Sequence, residues 1–183
     1  MTPNLMDNEA TLGVPRHETP ALHPLYGRFR REHPELLIGW PGEELSEGGV
    51  PYGIKTGLNY AFPKVREYMA EIIFETFERF DVDGVELDFM RHPGNFRPHE
   101  ADANRYLLTD MVQQLRQRMD AAGKTRGRRL ELAVRVAPTL DDSTRLGMEV
   151  EEWIGEGLVD LVVVGLGFNP FEARVAEFAA AAA

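Results

Sequence analysis

Cysteine is absent from the 183 residues, which excludes disulfide scaffolds, zinc ribbons and cysteine nucleophiles together. Positive charge is in deficit, with 20 Lys and Arg against 30 Asp and Glu and a net charge of -10. Nucleic-acid binding without sequence preference needs clustered cations to neutralise phosphates. The one such run, from Lys124 to Arg129, reads as a solvated loop. No stretch approaches the ~20 apolar residues of a membrane helix. The start Met1-Thr2-Pro3-Asn4 lacks the basic and apolar regions of a secretory leader. Neither nucleic acid nor membrane is therefore expected as a partner, and the compartment stays open. What is present suffices for a core, because a chain of this size buries roughly 70% of the surface that it exposes when unfolded.

Residues 1–35 carry five prolines and no useful period, and are read as a loop-rich N-terminal segment with one short helix, 24–32. Leu36 to Pro41 reads as a short strand, followed by a Gly-rich loop to Gly57. From Pro63 the pattern sharpens. Val65, Met69, Ile73, Phe77 and Phe80 recur at helical spacing, and Pro63 suits a first helical turn, where its missing N–H costs nothing. Val85 to Met90 alternates with period two, a strand with one acidic edge. A second helix is expected from Glu100 to Ala122 with Gly123 as its stop, then a strand over 130–136. Asp141 or Ser143 is expected to cap a short helix, and another follows from Glu149 to Glu156. Val159 to Val164 is a nearly unbroken β-branched strand, and a last helix follows from Ala173.

Strands alternating with helices at this spacing predict parallel strands with right-handed crossovers. Open doubly wound sheets and closed eight-stranded barrels share that grammar, and a barrel needs about 250 residues. The barrel reading is therefore of an incomplete one over 36–183, with open edges that invite self-association.

The chemistry concentrates in Asp81-Val82-Asp83-Gly84-Val85-Glu86-Leu87-Asp88-Phe89-Met90-Arg91-His92-Pro93. Glu86 and Asp88 are two apart on a strand, so they share a face at a backbone separation of roughly 7 Å. Two carboxylates side by side on a parallel strand are costly unless paired, and such pairs cluster at functional sites. Arg135, near the end of the next strand, either pairs with both as a structural filler or joins Arg91 and His92 in holding substrate. Asp83 before Gly84 is explained by turn chemistry. Asn95 in the loop beyond is expected among the substrate-binding residues, and Trp40 can stack on a sugar face, whereas Trp153 sits in a helical stripe and reads as core. His92 and His99 with Asp88 match no defensible metal spacing, and the turn Gly165-Leu166-Gly167 lacks the third glycine of a dinucleotide fingerprint. No metal or cofactor is expected.

The stretch Leu58-Asn59-Tyr60, Pro63-Lys64-Val65-Arg66-Glu67-Tyr68 and Phe80 to Phe89 resembles the glycosyl-hydrolase-like family 10 proteins, whose helix opens N-P-x-V-R and whose following strand reads Y-D-V-D-G-I-x-x-D. Arg135-Val136-Ala137-Pro138 and Glu156 to Asp160 extend the match. The resemblance implies a (β/α)8 barrel acting on carbohydrate. The same strand is similar to the D-G-x-D-x-D-x-E strand of family 18 chitinases, with Met90 where those carry their general acid. Met cannot protonate a leaving oxygen, so substrate-assisted chitin hydrolysis is not expected. A conventional glycosidase uses two carboxyls about 5 to 9.5 Å apart. The expectation is glycosidic-bond hydrolysis with Asp88 as principal carboxylate and Glu86 as the second. The rivals are a non-catalytic carbohydrate-binding barrel and a metal-dependent hydrolase using Glu86, Asp88 and His92.

Overall fold

The computed structural model describes residues 27–39, 57–90, 93–165 and 173–183. The element order is α1 (Arg28–Glu32), a 3-10 turn (Pro34–Leu36), α2 (Pro63–Arg79), β1 (Gly84–Asp88), α3 (Ala101–Arg126), β2 (Glu131–Val136), α4 (Leu140–Arg145), α5 (Val150–Gly155), β3 (Leu161–Val164) and α6 (Val175–Ala181). The strands form one parallel sheet in the order β1-β2-β3, with Asp88 opposite Arg135 and Arg135 opposite Val163.

The barrel expectation is overturned. Among the described residues there is a single open sheet of three strands with a free edge at each side, and six α-helices accompany it. The strand–helix alternation dictates parallel pairing for open and closed sheets alike. Closure needs about eight tilted strands with a fixed stagger, which three cannot supply. The expected strand from Leu36 is also missing: Pro34–Leu36 makes a 3-10 turn, and Leu37 forms one antiparallel bridge to Leu58. Pro41 and the Gly-rich loop lie outside the described residues, as do 24–26 of the first expected helix.

Strand order equals chain order, so the two right-handed crossovers fall on the same side of the sheet. Leu132, Val134 and Val136 face that side and are fully buried with Leu108, Val112, Leu115 and Met119 of α3 and Val65 and Phe77 of α2. The residues that alternate with them, Glu131, Ala133 and Arg135, line the opposite face, which no described helix covers to the same degree. A two-layer α/β arrangement results, with the polar alternation of β1 turned outward.

Several boundaries moved for identifiable reasons. The long helix does not stop at Gly123 but runs to Arg126, where Gly127 takes the left-handed conformation (φ 69) and Arg128 N–H closes on the Gly123 carbonyl at 3.1 Å. One interior glycine costs a helix about 1 kcal/mol, less than the burial of its apolar stripe returns. The cap of α4 is Thr139, whose hydroxyl accepts from Asp142 N–H at 2.9 Å, and neither Asp141 nor Ser143. The run Lys124 to Arg129 is not a free loop. Arg126 donates to the Phe77 and Phe80 carbonyls, Arg128 to Asp81 and Val82, and Arg129 to Asp160, so these cations staple α3 to its neighbours.

Gly84 begins β1 where the strand lies tightly against β2. A β-carbon there would run into the Glu131 backbone carbonyl, which cannot swing aside as a side chain would. Gly84→Ala is expected to force the two strands apart and to destabilise by about 2 kcal/mol, in the range of overpacking substitutions; the midpoint of urea unfolding reads this directly.

Candidate functional site

Period-two alternation on β1 puts Gly84, Glu86 and Asp88 on the open face, while Leu87 points into the core at 6% exposure. Parallel register then places Arg135 beside them. Its Nε donates to Glu86 Oε1 at 3.2 Å, Nη2 lies 3.2 Å from the same oxygen, and Nε lies 3.8 Å from Asp88 Oδ2. The guanidinium therefore bridges both carboxylates. Since one Nε reaches both, the two oxygens are at most about 7 Å apart. Asp88 is held further by the Met90 N–H, which donates to Oδ1 at 2.9 Å in an Asx-type turn. The side chains remain partly open to solvent, at 43% for Glu86, 27% for Asp88 and 36% for Arg135. Asp88 ends β1 and Arg135 is the penultimate residue of β2, so these two sit at the carboxyl end, where parallel α/β sheets hold ligands, while Glu86 stands one layer deeper at the middle of β1.

The segment after β1 is anchored by buried polar groups. Asn95 was expected to hold substrate. It is buried instead, with its carbonyl accepting from Tyr60 N–H at 2.8 Å and its side-chain amide directed to the Leu146 carbonyl at 3.4 Å. Asn59 is equally buried, accepts from Ala61 N–H at 2.9 Å and so braces the entry to α2. Arg66 donates to the Tyr60 and Ala61 carbonyls, and Arg97 to the Ile38 carbonyl at 2.8 Å. Burial pushes the Tyr60 phenol above its ordinary range, with Arg30 nearby acting in the opposite sense. This network ties the segment after β1 to the chain entering α2 and to Ile38.

The structure thus brings Glu86, Asp88 and Arg135 together and turns Asn95 inward. Trp40, Arg91 and His92 lie outside the described residues. Asp83 is 96% exposed beside Arg128 at 3.6 Å, consistent with a turn residue. Trp153 is fully buried, packs on Phe89 at 5.8 Å and donates its indole N–H to Thr109 Oγ1 at 2.8 Å, a core residue as expected. Among the described residues no three His, Asp or Glu side chains gather to hold a metal ion, and no helix is long and apolar enough to cross a membrane.

Two features had no counterpart in the sequence reading. The Met90 amide clamp depends on the backbone turning immediately after β1. The Asp160 network described below was signalled only by an acid placed directly before an apolar strand. No family model matches the chain, and no curated protein matches it either.

Proposed function

We propose that this protein acts on carbohydrate and hydrolyses a glycosidic bond with Asp88 as principal carboxylate and Glu86 as the second. The observation that carries the reading is that both carboxylates, bridged by Arg135, share the open face of the sheet, with Asp88 at the carboxyl end of β1. The resemblance of the Asp81 to Phe89 strand to glycosyl-hydrolase-like proteins supports the same reading. Hydrolysis requires one carboxyl to give a proton to the leaving glycosidic oxygen as the anomeric C–O bond breaks, and a second carboxylate either to take a proton from the attacking water or to attack the anomeric carbon itself, water then releasing the sugar. Asp88 and Glu86 are the two carboxyls that would share that labour. Arg135 holds the two negative charges in place and offers its remaining N–H groups to sugar hydroxyls.

A binding module that holds sugar without cleaving it is the second reading, favoured by Met90. That side chain is 4% exposed and belongs to the core, so the position that carries the acid in similar strands is closed to solvent here. Reducing-sugar release from a panel of polysaccharides and aryl glycosides separates the two. Release by the wild-type chain is expected. Sugar binding without release, surviving in Asp88→Asn, would replace hydrolysis with binding; neither binding nor release on any member of the panel would overturn both.

A further inference from the structure

Resting on the carbohydrate reading above, we propose that the open face of the sheet selects its glycan by charge, taking uncharged chains and rejecting those that carry carboxylate or sulfate groups. Strand periodicity and parallel register turn a defined set of charges to this side. β1 contributes Glu86 and Asp88, and β2 contributes Glu131 and Arg135. The other strand residues on the face, Gly84, Ala133, Leu161 and Val163, are uncharged. Among the described residues of the three strands, three carboxylates therefore share the face with a single guanidinium.

That guanidinium is already engaged. Arg135 approaches Glu86 Oε1 with both Nε and Nη2 at 3.2 Å and faces Asp88 Oδ2 at 3.8 Å. A ligand anion would have to compete for it within a few Å of both carboxylates. Like charges about 4 Å apart repel by enough to change a binding constant about fivefold even in water, and by more where water is partly excluded. Asp88 adds a directional preference. Its Oδ1 takes the Met90 N–H at 2.9 Å, while Oδ2, 3.8 Å from Arg135 Nε, has no hydrogen-bond donor among the described residues. An ionised carboxylate oxygen only accepts hydrogen bonds. A sugar hydroxyl can donate to it, whereas a glycan carboxylate or sulfate, ionised at neutral pH, cannot.

The test is isothermal titration calorimetry with the soluble neutral glycans of the panel above, each compared with its own derivative in which the primary hydroxymethyl groups are oxidised to carboxylates. Linkage is the same within each pair, so charge is the variable. At about 0.1 M salt, charges more than about 10 Å away are screened, and the chain's net charge of -10 acts weakly beside the charges on the face. The neutral member is expected to bind at least about fivefold more tightly. Asp88→Asn is expected to narrow that ratio several-fold, and so is Glu86→Gln, with circular dichroism verifying the fold of each. Asp110→Asn removes one charge from an exposed position of α3, in the helix layer on the other side of the sheet, and is expected to leave the ratio unchanged. Three results would overturn the proposal while leaving the carbohydrate reading in place: oxidised members that bind as tightly as neutral ones, a ratio that neither face variant moves, or one that Asp110→Asn moves equally. Binding of no member, neutral or oxidised, would overturn both.

Discussion

Asp160→Ala is expected to lower the unfolding free energy by about 3 kcal/mol or more, at the scale found when one partner of a buried ion pair is removed. Asp160 stands immediately before β3. Its Oδ2 accepts from Arg116 Nη1 at 2.9 Å and from Leu132 N–H at 2.8 Å, while Oδ1 takes Arg129 Nη2 at 2.7 Å. Arg116 is 6% exposed and donates also to the Leu130 carbonyl at 2.8 Å, with Asp120 at 2.6 Å. One carboxylate thus ties α3, the start of β2 and the start of β3 together. Its removal leaves the buried guanidinium with Asp120 as its remaining carboxylate and the Leu132 amide of β2 without its acceptor. Asp160→Asn keeps an acceptor for Leu132 N–H and loses the charge, so it is expected to cost less, about 1–2 kcal/mol. Urea unfolding followed by tryptophan fluorescence measures both, because Trp153 lies in the core that opens. Equal midpoints for wild type and Asp160→Ala would show that the network is energetically idle.

The second large effect is on activity. Asp88→Asn is expected to reduce glycoside turnover by roughly 10³-fold, the mid-range for loss of a positioned proton-transfer group, with little change in the unfolding midpoint. The asparagine retains the carbonyl oxygen that takes the Met90 N–H, and it is nearly isosteric, so the turn after β1 survives. It surrenders the charge facing Arg135 and the ability to exchange a proton. Because Asp88 is partly exposed and lies farther from Arg135 than Glu86 does, the lost ion pair contributes little to stability. Glu86→Gln breaks the closer contact with the guanidinium and is expected to reduce turnover as well. Unchanged turnover in Asp88→Asn would sink the catalytic assignment, and a collapsed unfolding midpoint would make the carboxylate structural.

How far the sequence carried these conclusions depends on the range of the interaction. The helix over Pro63–Arg79 was legible because its apolar residues recur at 3.6-residue spacing and a proline marks its first turn. The acidic face of β1 was legible because strand side chains alternate with period two. Where local signals competed, the reading slipped. Gly123 resembled a stop until packing carried the helix past it to Gly127. Leu36-Leu37-Ile38 resembled a strand, yet its backbone partner is a single bridge at Leu58 and the carbonyl of Ile38 is taken by Arg97. Asn95 resembled a ligand-binding loop residue, and burial turned its polar groups to Tyr60 and Leu146.

By itself the sequence determined that β1 would carry two carboxylates on one face, that Arg135 would lie within a residue or two of the end of its strand, and that Trp153 would be core. Each follows from backbone periodicity, which acts over a few residues. Only the tertiary structure decided that the sheet is open, that both crossovers cover the same face, and that Asp88 falls opposite Arg135. Strand order and register are set by contacts between segments some fifty residues apart in the chain, such as Asp88 with Arg135. No local pattern encodes them; they emerge when Leu132, Val134 and Val136 can be buried only by helices arriving on their side, leaving Glu86, Asp88 and Arg135 on the other.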